Sequence, residues 1–191
     1  MKLDEYLKNH PKTHLVFDFD ETIATLVLPW SKLKEKLDVE FRKISPEVEK
    51  RCKTWDWSEY NTTIKKYGPD VRSAINNLYQ EFETKYFKEL KPNLGLIEFI
   101  RNNHSKYVFY IWTNNRRSTM EKALKVLKLD KYFEKLLTAS DVILYKPDPI
   151  GFTQIYDPSI KKDKYLMVGD SEGDKTAAKN AGIDFYQVNF T

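Results

Sequence analysis

Short apolar runs followed by helical periodicity recur along this chain, and their order predicts its architecture. The runs fall at residues 15–17, 107–112, 136–138, 165–168 and 185–190, ending in polar or acidic residues. Apolar stretches of this length that alternate with helical patterns read as parallel strands joined by crossover helices. The helical patterns occupy residues 94–103, 118–129 and 172–181, the last stopping at Gly182, where a left-handed residue is expected to close the helix. Ser118 with Glu121 has capping-box spacing and Ser171 with Asp174 a looser version, so both helices should start just after an apolar strand. The predicted fold class is α/β: a Rossmann-like parallel sheet of about five strands flanked by helices.

The alternation breaks after the first strand. Residues 26–90 carry long charged, apolar-periodic stretches and no convincing strand. Pro29, Pro46 and the Gly68-Pro69 pair divide the segment into three or four helices, because proline disfavours helix continuation and glycine-proline marks a turn. The expected organisation is therefore a core of residues 1–25 and 91–191 with an inserted all-helical cap at 26–90.

Composition narrows the class. A chain of 191 residues, 41% hydrophobic and 31% charged, can bury a sizeable core and is neither disordered nor fibrous. The formal charge of +4 is spread out, so pairs such as Arg116-Arg117 and Lys161-Lys162 read as solvated turns or helix faces, and a nucleic-acid partner is disfavoured. Cys52 is the single cysteine and points to a reducing compartment. No signal-peptide pattern opens the sequence and no apolar run approaches the roughly 18 residues that cross a bilayer. A cytoplasmic monomer or weak dimer without membrane attachment is the expectation.

Candidate chemistry gathers at the strand ends. In LVFDFDET, residues 15–22, an apolar strand runs into Asp18 and Asp20, whose period places both carboxylates on one side. Like charges so close persist only with a cation or a shared proton. YVFYIWTNN ends a second strand at Thr113, YLMVGDSEGD ends another at Asp170, and Asp174 follows one helical turn later. Ligands bind outside the carboxyl ends of strands in open α/β sheets, so Asp18, Thr113 and Asp170 should converge there, with Lys146 of LYKPDP supplying positive charge. Singly, each has a plain explanation: an aspartate as turn former, Thr113 as a cap, Lys146 as an exposed lysine, Asp174 as first-turn charge against the helix dipole. Their occurrence together and in this order is what carries the reading.

With DFDET at 18–22, Thr113, Lys146 in KPDP and GDSEGD at 169–174, the chain resembles the haloacid dehalogenase superfamily, in a form with a helical cap after the first motif. Pro92, Gly95, Phe152, Ala178, Ala181 and Gly182 add to the resemblance, which spans essentially the whole chain. The resemblance implies a phosphatase acting on a small phosphorylated metabolite through an aspartyl-phosphate. In it, Asp18 is the nucleophile and Asp20 the general acid and base. Thr113, Asn114 and Lys146 bind the phosphoryl group, and Asp18, Asp20 (by its backbone carbonyl), Asp170 and Asp174 hold Mg2+.

Glu21 departs from the family pattern, standing where a glycine is frequent, and IATL replaces the usual continuation; both leave the substrate open. Trp30, Trp55, Trp57, Tyr60 and Tyr67 in the insert are expected to fill its core rather than form a platform for a ring. Lys53, Lys65 and Lys66 are expected on solvated faces. A phosphomutase shares these motifs and differs in the acceptor, and a non-catalytic binding module shares the fold. Dehalogenation would not need the acid at position 20.

Overall fold

The computed structural model describes residues 2–53 and 56–189; Trp55 and Phe190 lie outside the described residues. Along the chain, α1 (Leu3–Asn9) precedes β1 (His14–Phe17), and β2 (Ala24–Leu26) leads into four helices: α2 (Trp30–Ile44), α3 (Pro46–Cys52), α4 (Trp57–Tyr67) and α5 (Pro69–Tyr86). The chain returns through β3 (Leu90–Pro92) and α6 (Leu94–Asn103). It continues with β4 (Val108–Trp112), α7 (Arg117–Leu127), β5 (Lys135–Leu137), α8 (Ile150–Thr153), β6 (Tyr165–Gly169), α9 (Glu172–Ala181) and β7 (Asp184–Gln187).

Five strands form one parallel sheet in the order β5-β4-β1-β6-β7. β1 is central, with Phe17 opposite Ile111 on one side and Val168 on the other. Side-chain alternation divides the core between the two faces. Leu15, Phe17, Phe109, Ile111, Leu166 and Val168 join one cluster, and Val16, Tyr110, Trp112, Tyr165 and Met167 join the other. Both faces are covered, as a parallel sheet requires. Because the strand order reverses around β1, the crevice of such a sheet opens at its C-terminal end, where Asp18 begins.

The insert begins and ends on a structure the sequence does not show. β2 and β3 pair antiparallel, Ala24 with Pro92 and Leu26 with Leu90. Strands of 3 residues each show no period, and Pro92 argues against one, so the expectation of no strand at residues 26 and 90 is corrected. Three of the four helices start where proline predicts, and α4 starts instead behind Asp56, whose side chain accepts from Ser58 N–H and Glu59 N–H. Pro29 precedes α2, Pro46 opens α3 behind the Ser45 cap, and Gly68, at φ 81, separates α4 from Pro69 at the head of α5.

Two further expectations are corrected. Ser118 lies inside α7, whose N-cap is Arg116 and makes no side-chain cap bond. The helix start is satisfied from outside: Arg116 N–H donates to the Glu83 carboxylate of α5 at 3.1 Å, and Arg117 N–H donates to Ser140 Oγ at 3.2 Å. Arg116 is not a solvated residue but fully buried, its guanidinium 4.9 Å from the Tyr79 ring and 5.5 Å from that of Tyr145. Aromatic faces take up a planar cation that two distant segments enclose. Among the described residues no helix is long and apolar enough to cross a membrane.

Candidate active site

Asp18 follows directly on β1, and its own N–H donates to Val168 O at 2.9 Å, so the sheet ladder itself fixes the carboxylate's root. Its Oδ1 accepts a hydrogen bond from Lys146 Nζ at 2.5 Å, and the same ammonium donates to Asp174 Oδ1 at 2.6 Å. All three side chains are buried: Asp18 is 8% exposed, Lys146 5% and Asp174 2%. One cation between two carboxylates leaves a negative excess, and Asp170 increases it. Carboxylate oxygens of Asp18, Asp170 and Asp174 lie within 4.8 Å of one another. Burial raises the Asp18 carboxyl above its ordinary range against the pull of Lys146, and Asp174 and Asp170 add to the rise. Asp170 is likewise raised, by burial and by Asp174. Burial alone would lower Lys146, yet Asp174 and Asp18 outweigh it and hold the ammonium charged.

A buried group of oxygen ligands with more negative charge than its lysine can neutralise fits a small hard dication. Asp18, Asp170 and Asp174 are the residues that would hold magnesium. The Asp20 carboxylate stands apart from them: its Oδ1 accepts Leu26 N–H at 2.7 Å, and burial pushes it up to about 7.

α9 fixes Asp174. Ser171 and Asp174 form a full capping box, Ser171 donating from N and Oγ to Asp174 Oδ2 at 3.2 and 2.6 Å. Thr22 Oγ1 donates to Asp170 Oδ1 at 3.1 Å. Thr113 follows β4 and is 2% exposed, its hydroxyl donating to Asn115 Oδ1 at 2.8 Å. Asn114 is committed to the main chain of Lys146, donating to its carbonyl at 3.0 Å and accepting from its N–H at 2.8 Å. Its side chain thus braces the lysine.

Asp18, Asp20, Thr113, Asn114, Lys146 and Asp174 all line one cavity of about 550 Å³, which the insert roofs with Trp30, Leu33, Lys34, Leu37, Trp57 and Tyr79. Sequence reasoning missed Asn115, Lys34 and Tyr79. It also missed Asn61 of α4, which grips Tyr145 by donating to its carbonyl at 2.7 Å and accepting from its N–H at 2.9 Å. The available signal for Asn61 was an amide on the apolar stripe of Tyr60 and Ile64. Lys53 and Lys65 pair with Glu49 and Asp148 instead of facing the cavity, and Lys66 lies over the Tyr67 ring. Tyr60 is buried in the core as expected, whereas Trp30 and Trp57 are half-buried and form part of the cavity wall.

The class this geometry defines is an α/β protein with a Rossmann-like sheet, a helical insert, and a cluster of carboxylates and a lysine at the C-terminal edge of the central strands. The chain belongs to the haloacid dehalogenase-like hydrolase family, matching it over residues 15–188. Pyrophosphatase PpaX of Halalkalibacterium halodurans is 32% identical over 131 residues, 67% of this chain and 61% of that protein. The chain spans less than two thirds of the length of the curated relatives it matches first. The fold is shared with a HAD phosphatase from Thermococcus onnurineus, at TM-score 0.55 and 23% identity over 93% of this chain and 86% of that one. It is also shared with YfnB of Bacillus subtilis, whose structure is bound to magnesium, at TM-score 0.56 and 18% identity over 93% and 87%.

Proposed function

We propose that this protein hydrolyses a phosphomonoester of a small metabolite through an aspartyl-phosphate on Asp18, with magnesium. The observation that carries the reading is the buried Asp18-Lys146-Asp174 array beside Asp170. Lys146 engages Asp18 Oδ1, and Oδ2 is assigned to attack phosphorus. As that bond forms, the ester P–O bond breaks and Asp20 gives its proton to the leaving oxygen. Asp20 then takes a proton from water, the water oxygen bonds to phosphorus, and the bond to Asp18 breaks, releasing phosphate and restoring both residues. A carboxyl pushed to about 7 can perform both transfers near neutrality. Lys146 and the Thr113 hydroxyl are assigned to stabilise the phosphoryl oxygens, and removal of either should cost roughly 10²- to 10³-fold in rate. When bound, magnesium supplies positive charge against those oxygens and against the carboxylates.

The test is phosphate release from a panel of phosphomonoesters with magnesium, with Asp18→Asn as the blank. Turnover should fall to background in the blank, and on chelation in the wild type. Activity persisting in Asp18→Asn removes the assigned nucleophile. The name of the PpaX relatives puts inorganic pyrophosphate on the same panel.

A further inference from the structure

The cavity above Asp18 has two chemically different ends. Its floor is polar, with Asp18, Asp20, Thr113 and Lys146, while its roof is an aromatic and aliphatic wall from three helices of the insert. Trp57 stands 5.2 Å from Tyr79, and Trp30 stands 6.4 Å from Tyr79, ring centre to ring centre, so the three rings run continuously across α2, α4 and α5. One side of each indole packs on the buried core, Trp30 against Phe82 at 5.7 Å and Trp57 against Tyr60 and Tyr145 at 5.4 and 4.7 Å, ring centre to ring centre. Trp30 and Trp57 nevertheless remain half-buried, presenting part of their surface to the cavity. A wall that selected only a small hydrated anion would gain nothing from this apolar surface.

Charge argues in the same direction. The lining holds the carboxyl groups of Asp18, Asp20, Asp56, Glu172 and Asp174 against the ammonium groups of Lys34 and Lys146, and Lys146 is already shared by two carboxylates. With Asp18 and Asp174 assigned to magnesium, the rest of the lining still sets Asp20, Asp56 and Glu172 against Lys34, a balance that suits a single phosphoryl group with an uncharged leaving group. A second phosphoryl group would bring more negative charge into an acidic cavity.

We propose that the leaving group this site accepts carries a flat aromatic ring, seated against Trp30, Trp57 and Tyr79 while the phosphoryl group reaches Asp18. The inference rests on the phosphomonoesterase reading of the same site. The ring's source is a nucleobase, in a nucleoside monophosphate, or an aryl group, in a phenol ester; both present the same π-face.

The experiment compares kcat/KM for adenosine 5′-monophosphate, phenyl phosphate, glycerol 1-phosphate and pyrophosphate in the wild type, Trp30→Leu, Trp57→Leu and Trp57→Phe. Ring-bearing monoesters should exceed glycerol 1-phosphate by about 10- to 100-fold, the worth of one stacked ring. Trp57→Leu should shrink that ratio chiefly through KM, and Trp57→Phe should keep most of it. Reading each ratio against wild type removes the intrinsic advantage of phenol as a leaving group. A preference for either ring source supports the inference and identifies the source. Equal rates on glycerol 1-phosphate, a preference for pyrophosphate, or a ratio untouched by both leucine variants overturns it.

A binding measurement keeps the inference separate from the reaction. Asp18→Asn protein titrated with adenosine 5′-monophosphate and with phenyl phosphate should show saturable quenching of tryptophan fluorescence by at least one of them, and none with glycerol 1-phosphate. No quenching by either overturns the ring site. Quenching without turnover of any ester in the wild type keeps the ring site and discards the assigned reaction. Turnover of glycerol 1-phosphate at the rate of the ring esters does the reverse.

Discussion

Gly169, the last residue of β6, has no room for a side chain because Asp174 lies where its Cβ would point. A methyl group there would sit 2.6 Å from the Asp174 carboxyl. Asp174 cannot step aside, since Ser171 holds Oδ2 and Lys146 holds Oδ1. Gly169→Ala should therefore displace Asp174, loosen Lys146 and weaken magnesium affinity, lowering activity by roughly 10²-fold, as for the loss of one charged donor. A magnesium titration of the rate, with circular dichroism to confirm folding, checks this; wild-type magnesium affinity in the variant would contradict it. Glu21 is the opposite case, a residue where glycine is sterically better suited. Its φ of 57 lies in the left-handed region, which costs a residue with a Cβ about 1 kcal/mol. Thermal unfolding should show Glu21→Gly equal to wild type or slightly more stable, with relief of strain offset by chain entropy. Glu21→Ile should be destabilised by about 1 kcal/mol or more, since a β-branched side chain fits that region worst.

Among the elements, the contact between α5 and α7 joins insert to core. Glu83 is fully buried and accepts the Arg116 N–H at the start of α7, while Gln80 of the same helix donates to Ser118 Oγ at 2.7 Å. A carboxyl group at a helix N-terminus stabilises it whichever segment supplies it. Glu83→Ala should cost about 1 to 2 kcal/mol in a denaturant titration, the range for loss of a cap. This contact also explains what the sequence conceals. α9 is legible because its signals are local: Ser171 and Asp174 cap one end, and Gly182, at φ 74, closes the other. The start of α7 is not, because its partner stands 33 residues upstream and Ser118 offers a plausible local substitute. Burial of Arg116 is equally invisible, because Tyr79 and Tyr145 come from segments that only the fold brings together. Asp18, Thr113 and Asp170 could be foreseen because a parallel sheet delivers its strand ends to one edge. The braces Asn61 and Asn114 act on the main chain of Tyr145 and Lys146, a role that side-chain type alone does not reveal.

At the scale of the whole molecule, the candidate site places a stability cost on the fold, and pH should reveal it. Asp20 is pushed up to about 7 by burial, and Asp18, Asp170 and Glu83 are raised as well. Each of these groups binds its proton more tightly in the folded chain than in the unfolded one. Between the ordinary carboxylate range near about 4 and the raised values, the folded state therefore holds more protons, and stability must fall as pH rises. Their contribution is complete below the unfolded values and is lost as pH passes through the folded ones. Groups shifted the other way act elsewhere: Glu49, lowered to about 2 by Arg42, contributes stability that disappears only in stronger acid. The metal-free protein should accordingly melt at a lower temperature at about pH 8 than at about pH 5. Magnesium should raise the melting temperature more at the higher pH, because a dication favours the ionised carboxylates that proton loss exposes. Asp18→Asn removes one raised carboxyl and should flatten the metal-free dependence. Melting curves in chelator and in magnesium across this range decide the matter. A melting temperature that stays level or climbs with pH in chelator would show that the buried carboxylates are neutralised within the fold, leaving no excess charge for a metal to meet.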